Sequence, residues 1–489
     1  MVLAGALALS LLPVMASPPA PVPSVEPPVT LAGKPFPAVT PYGSGLAAPR
    51  RTRFVAAARE NGDGTEARPW NSLPAALCDL SPGDRLLVRK GKYAGDLRIG
   101  GSCRNGTPGA PIQVIFEPKT TVEPGPDGAA LVIRKAHWQI AGLVMRLENS
   151  PHAGISIEGA GAHDVTLESA RLSGGAGPSV LISGSSARIA IANTQIAKAN
   201  LMSAGAESVG IRIEAGARNV SVINCRLHEN PGGSVRIDSP APDGRPASNL
   251  EIIGNTIHDD GATAIAIGAA LGVRVENNTL SDVPGRGGTR GIALGSVYHA
   301  VVRSNHLSGF AVAVQVGRAG AGVSADALVQ DASIDHNHLE SVSPEGVALD
   351  LEAGRGIRFV NNVVEGYADG ILLLGIPPVT QKVIVANNLV LRFSRMAFAL
   401  ADPSAVSLFD FNVFSPEGDT AKIETGGKTL DLASFLKEGH MPHSRVVPRV
   451  RILDRDLARI AGVETVDRGK AVSGIDFAGR APDIGVADR

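Results

Sequence analysis

The strongest constraint on this chain is that it repeats. In "VGIRIEAGARNVSVINCRLHENPGGSVRID", Val209 to Asp238, the phrase Ile211-Arg212-Ile213-Glu214 returns 24 residues later as Val235-Arg236-Ile237-Asp238. A wider recurrence surrounds it. Segments such as "IANTQI", "VINCRL", "IIGNTI", "VENNTL", "VRSNHL", "DHNHLE", "FVNNVV" and "VANNLV" each carry an apolar anchor, often preceded by Asn. The anchors are Val144, Leu172, Ile196, Leu227, Ile257, Leu280, Leu307, Leu339, Val364, Val390 and Phe414, at intervals of 23 to 32 residues. Paired-helix solenoids have longer repeats, and these units are Gly-rich and β-branched. Hairpins of a β-sandwich would not hold such a period through ten intervals.

Each unit also contains a short strand with period-2 alternation, such as "GISIE", "GIRIE", "SVRID", "AIAIG" and "GVALD". One row is buried: Ile155/Ile157, Ile211/Ile213, Val235/Ile237, Ile265/Ile267 and Ile292/Leu294. No unit buries that row alone. Units stacked at about 4.8 Å bury it continuously. The expected fold is therefore all-β: a single-stranded parallel β-helix of about eleven rungs, capped at both ends. Asn suits the corners, because it tolerates left-handed backbone and its amide can bond the same amide one rung away. The expected outward row is Ser156, Leu181, Arg212, Arg236, Ala266, Ala293, Ala313, Ala348, Leu372 and Ala399.

Residues 1–16, "MVLAGALALSLLPVMA", are too short an apolar run to span a bilayer and end in small residues, which reads as a signal peptide. No Lys or Arg precedes the run, which is atypical. Export to the periplasm or beyond is the expectation. Ser17 to Pro49 holds ten prolines in 33 residues, so 17–50 is expected to be an extended linker. Residues 51–125 are assigned to an N-terminal cap and first strands, 126–414 to the repeats and 415–489 to a C-terminal cap. No later segment looks transmembrane. A formal net charge of −1 argues against a nucleic-acid partner. Of the three cysteines, Cys78 and Cys103 share the N-terminal region; an exported protein permits their disulfide, and three buried thiols are the alternative.

These features together resemble the right-handed parallel β-helix superfamily, of pectate-lyase-like fold, over about residues 51 to 489. "NGDGTEARPWNSLPAAL", "LSPGDRLLVRKGKYAGDLRI" and "GTPGAPIQVIFEP" look like its N-terminal cap, with Ser72 capping a short helix from Leu73 to Leu77. "TLDLASFLKEG" and "VDRGKAVSGIDFAGRAPDIGVAD" resemble its closing segment. The resemblance implies activities ranging over polysaccharide lyases, uronate epimerases, pectin hydrolases, tailspike-like binders and structural members. Specific signatures are missing. No Lys-Ser follows an acid-rich rung, no Asp-Pro-His-Asp occurs, and Arg290 stands where a pectin hydrolase places His.

The residues that stand out are therefore few. Arg212 and Arg236 interrupt a bland outward row on neighbouring rungs, with Glu214 and Asp238 two residues on. Two guanidinium groups about 5 Å apart repel unless acids or an anionic ligand neutralise them. His228 and His258 follow successive anchors, and Asp259 and Asp260 follow His258. A uronate lyase or C5 epimerase needs these types: Arg212 and Arg236 for the sugar carboxylate, His258 or His228 to take the C5 proton. The competing reading is a solvated face with cross-strand ion pairs, in a non-catalytic glycan-binding or structural protein. No cofactor is required; calcium is a candidate at Glu229, Asp238, Asp259 and Asp260. The expected partner is an acidic polysaccharide, and the expected state a monomer.

Overall fold

A typical turn of the described chain lays down three short strands separated by three corners. One turn is Ile211–Ile213, Arg218–Ile223 and Arg226–His228; the next is Val235–Ile237, Ala247–Ile253 and Thr256–His258. The strands stack in parallel and in register: Ile211 on Val235, Val220 on Leu250, Leu227 on Ile257. Three faces result, called first, second and third in chain order. The first and second merge into one 26-stranded sheet, and the third is a sheet of 14 strands. They merge because Thr263–Glu276 and Arg290–Arg303 each run unbroken from the first face into the second. The computed structural model describes residues 48–485 apart from 58–59, 126–127, 148–149, 151, 176, 198–207, 242–243, 284–288, 318–327, 342–344, 420, 448–467 and 478–479. The expected signal peptide and residues 17–47 of the expected linker lie outside the described residues.

The expected parallel stacking is present: Ile211, Val235, Ile265, Ile292 and Val314 align along the first face. All five are fully buried. The anchors give eleven turns on the third face, with one correction: Met145, fully buried and aligned with Leu172, takes the place expected for Val144. Two earlier strands, Gly91–Ala94 and Thr120–Glu123, and a last one, Arg445–Val446, complete its 14.

One part of the expected outward row is corrected. Ala313 and Ala348 are fully buried, and the residues aligned with Ala293 are Gln315 and then Asp350. In "AVAVQV" two register choices fit the alternation equally, and the pairing Ile292–Val314 selects the one that sequence alone did not.

The corner between the second and third faces shows why Asn recurs in pairs. The first residue of each pair takes left-handed backbone: Asn193, Asn224, Gly254, Asn277, Ser304, His336, Asn361, Asn387 and Phe411, with φ from 50° to 68°. The second points inward and carries the ladder. The ladder runs from Asn255 through Asn278, Asn305, Asn337, Asn362 and Asn388 to Asn412, and after Asn255 each Oδ1 accepts from the preceding ladder amide at 2.9–3.1 Å. It also accepts a backbone N–H from the rung before. Each Nδ2 donates to a strand carbonyl as well, such as Asn305 to Val275 at 2.8 Å. Seven buried amides are satisfied only because they are stacked.

The ends are covered differently. At the N-terminal end the helix Leu73–Asp79 is capped by Ser72, whose Oγ accepts from Ala75 N at 3.4 Å. Its Leu73, Ala76 and Leu77 pack on the core. Cys78 and Cys103 are joined in a disulfide with Cα atoms 4.0 Å apart. At the other end the helix Leu432–Lys437 buries Leu432. The described part of the closing segment, within residues 468–485, lies elsewhere. It clasps the outside of the second–third corner, where Asn387 Nδ2 donates to Lys470 O and Asn361 Nδ2 to Asp483 O, both at 2.9 Å. Val472 and Ile475 pack there on Val360 and Ala386.

Candidate functional site

On the first face, adjacent strands place Arg212 directly against Arg236. One carboxylate holds both. Asp238 accepts from Arg212 Nε at 2.8 Å and lies 3.2 Å from Arg236 Nε. The side chains of Arg212, Arg236 and Asp238 are 25%, 15% and 14% exposed, so most of each is packed. The Nε hydrogen bond to Asp238 fixes the plane of the Arg212 guanidinium, which prepares it for a bidentate anion, and Arg236 is held near it by charge. Glu214 does not join them; its Oε2 accepts from Gly184 N on the preceding rung at 3.3 Å.

His228 and His258 do stack, with ring centroids 4.7 Å apart and planes 5° from parallel. They belong to the third face, however, not to the first. The expected convergence of arginines and histidines on one face is therefore corrected. The corner Glu229–Ser234 separates Arg236 from His228, and a corner re-aims the chain whatever the period of the repeat. His258 Nδ1 lies 2.8 Å from Asp259 Oδ2, and its Nε2 lies 3.4 Å from Arg226 Nη2. His228 Nε2 faces Gln195 Nε2 at 3.2 Å. Burial first, and the neighbouring imidazole second, lower the pKa of His228 and favour its neutral form.

Asp260 is an interior group. It is 2% exposed, and Asn230 N donates to its Oδ1 at 3.0 Å. Burial pushes its carboxyl up to about 7, with the nearby Asp282 carboxylate acting in the same direction. The four candidate calcium ligands divide between two places, Asp238 on the first face and the other three at the corner after His228 and His258. Asp238 lies under two arginines, Asp260 inside a corner, Asp259 beside His258, and Glu229 3.4 Å from His228.

Three clusters escaped the sequence reading. Gln315 and Asp350 meet on the first face, with Nε2 donating to Oδ2 at 3.1 Å, both nearly buried. At the first–second corner, Arg188 grips Asp164 with two bonds of 2.8 and 2.7 Å beside His137 and His163. Burial would raise the Asp164 pKa, but the bonds from Arg188 and His163 hold it at about 2. On the third face, His306 and His338 stack at 4.8 Å beside Glu340. A signal for the last existed: Asn-His-Leu occurs in both "SNHLSG" and "HNHLES".

Residues 144–296 and 241–364 match the family described as right handed beta helix region. No curated protein matches the chain in sequence. Several solved structures resemble its fold. An alginate lyase from Paenibacillus sp. is 14% identical, with 77% of this chain and 95% of that one covered and a TM-score of 0.41. A pectate lyase is 16% identical, with 90% and 97% covered and a TM-score of 0.44. The A-module of an Azotobacter vinelandii mannuronan C-5 epimerase is 11% identical, with 72% and 93% covered and a TM-score of 0.42.

Proposed function

The chain is a right-handed parallel β-helix protein, and from that premise we propose that it binds an acidic polysaccharide along its first face. The observation that carries this reading is the Arg212–Arg236 pair, aligned by strand register with the Asp238 carboxylate beside both. Cations repeated at the strand spacing of about 4.8 Å suit a polymer that carries carboxylates in series. Preorganisation matters here, because a guanidinium already fixed in its plane loses less side-chain entropy on binding. Few aromatics, 4% of the chain, leave little stacking surface for neutral sugars, so charge is the means of recognition.

Turnover by β-elimination or C5 epimerisation is the second reading, and the His258–Asp259 pair favours it. An imidazole oriented by a carboxylate at 2.8 Å is the usual form of a general base. The base and the arginines stand on different faces, so this reading requires a sugar that turns the third–first corner.

The test is binding of tag-free protein to a panel of uronic-acid polymers, with Arg212→Ala/Arg236→Ala as the variant. The parent should bind at least one polymer, and binding should weaken with salt. The double variant should lose about 3 kcal/mol, on the order of a hundredfold. A folded double variant that binds as the parent does would refute the assignment. Ultraviolet absorbance of unsaturated uronate, and NMR of polymer of unchanged length, separate a lyase from an epimerase and both from a binder.

A further inference from the structure

Three groups of histidines lie on the outside of this solenoid, and their surroundings differ. In the first, His137 and His163 flank Asp164, but Arg188 already grips that carboxylate through two bonds. A guanidinium there occupies the place a metal ion would take. In the second, His228 and His258 stack, yet each Nε2 already faces a nitrogen, of Gln195 and Arg226 respectively. The Arg226 cation would also repel a metal.

The third group is arranged otherwise. His306 and His338 are aligned by register on adjacent third-face strands. Glu340 lies two residues beyond His338 on the same strand, so its side chain leaves the same side of the sheet. One donor atom from each of the three lies within 4.8 Å of the others. His306 Nε2 is 3.5 Å from Glu340 Oε2. His338 Nε2 is buried and makes no hydrogen bond among the described residues; the Glu365 carboxylate lies 3.6 Å away. Among the described residues the only ion-pair partner of Glu340 is His306, and no guanidinium or ammonium pairs with it. Arg392 instead holds Glu365, at 2.7 Å, beside the cluster.

We propose that His306, His338 and Glu340 form a binding site for a divalent transition metal, zinc by preference. Two imidazole nitrogens and one carboxylate are a three-ligand set that leaves a fourth tetrahedral position for water or a substrate oxygen. Hard cations are disfavoured, since calcium and magnesium take oxygen ligands. Zinc–nitrogen bonds of about 2.1 Å place tetrahedral donors roughly 3.4 Å apart. The His306–Glu340 distance already matches. The two rings, 4.8 Å apart and 12° from parallel, need only tilt toward each other. The His306 side chain, 47% exposed, has room to make that movement. The Glu365 carboxylate, 3.6 Å from His338 Nε2 and held by Arg392, adds negative charge beside the cluster, which favours a cation there.

The experiment uses the full, tag-free chain, stripped with chelator and titrated with zinc chloride by calorimetry. Cobalt(II) absorption reports the coordination geometry in parallel. The expected result is saturation at one zinc per chain and a tetrahedral cobalt spectrum. His306→Ala/His338→Ala should abolish both, and Glu340→Gln should weaken zinc at least tenfold while keeping the rings. His163→Ala should titrate as the parent does. Melting curves in chelator check that each variant folds. Should the double variant misfold, Glu340→Gln decides alone. A parent that takes up no zinc at this stoichiometry overturns the proposal. So does a folded variant at His306, His338 or Glu340 that binds zinc as the parent does, or a His163→Ala variant that loses it.

Discussion

Inside the second–third corner, one amide ladder runs unbroken from Asn255 to Asn412, whereas the outer pairs each last two rungs. Arg212 and Arg236 are bounded by Leu181 and Ala266, His228 and His258 by Ala197 and Ser281, His306 and His338 by Thr279 and Val363. The cause of the difference is solvent. A buried amide donates to the next amide, so ending the ladder at any rung leaves buried donors without acceptors. On the outside, water satisfies whatever side chain is present. Continuity inside therefore reports the fold, and brevity outside marks places where a particular chemistry was kept.

The sharpest way to break that comparison is Asn337→Leu. Leu preserves much of the volume, but the backbone N–H and Nδ2 of Asn305 both donate to Asn337 Oδ1 at 3.0 Å. Val302 O loses its donor from Asn337 as well. Several buried polar groups would be orphaned at once, which should cost about 3–5 kcal/mol in urea denaturation. Arg212→Ala, on the outer surface, should cost within about 1 kcal/mol. If Asn337→Leu proves no more damaging than Arg212→Ala, the ladder is decoration.

The same contrast explains what could be read from the sequence. The anchors and the Asn ladder repeat many times, so the parallel fold, the buried row through Ile211 and Val235, and the cap helix after Ser72 were legible. Phase across a corner was not. The corner Glu229–Ser234 is six residues and the segment from Asp238 to Pro246 nine, so no count of residues places His228 relative to Arg236. Register in Ala-rich stretches was also hidden, because Ala313 and Gln315 both alternate with valines and only the neighbouring strand decides between them. Nor could the sequence divide the two roles of the Asn pair, since Asn277 and Asn278 are chemically identical and differ only in which way the backbone points them.

Asp260 tests the interior by pH. Its carboxyl is buried near that of Asp282, with Asn230 and Ser234 as partners, and titrates near 7 rather than at the ordinary 3.8. Between those two values the folded chain holds a proton that the unfolded chain has released. The contribution of this group to stability therefore falls as pH rises toward 7 and levels off above it. Asp260→Asn removes the titration and keeps a neutral, hydrogen-bonding side chain. From about pH 5 to about pH 7 the variant should gain roughly 2 kcal/mol on the parent in denaturant titrations. A difference that stays flat with pH would show that Asp260 is ionised in the fold.

The smallest expected effect asks whether the ladder is a rule of position. Cys225 stands one rung before Asn255 and already imitates an amide. Its N–H donates to Asn255 Oδ1 at 2.8 Å, its sulfur lies 3.5 Å from Ile191 O, and the Thr194 N–H points at that sulfur. Ile191 is aligned with Val222, whose carbonyl accepts from Asn255 Nδ2. Asn at position 225 would therefore meet the partners that Asn255 meets one rung on. The buried thiol, pushed up to about 11, is un-ionised and gives up no charge interaction when replaced. Cys225→Asn should leave stability within about 1 kcal/mol of the parent, on the stabilising side if the extra amide fits without strain. Cys225→Leu, apolar and larger, should do worse, because the Thr194 N–H then loses its acceptor. If Cys225→Asn destabilises as much as Asn337→Leu, the corner accepts amides only where the neighbouring rungs already hold them, and the ladder would have to be understood as a cooperative unit with fixed ends at Asn255 and Asn412.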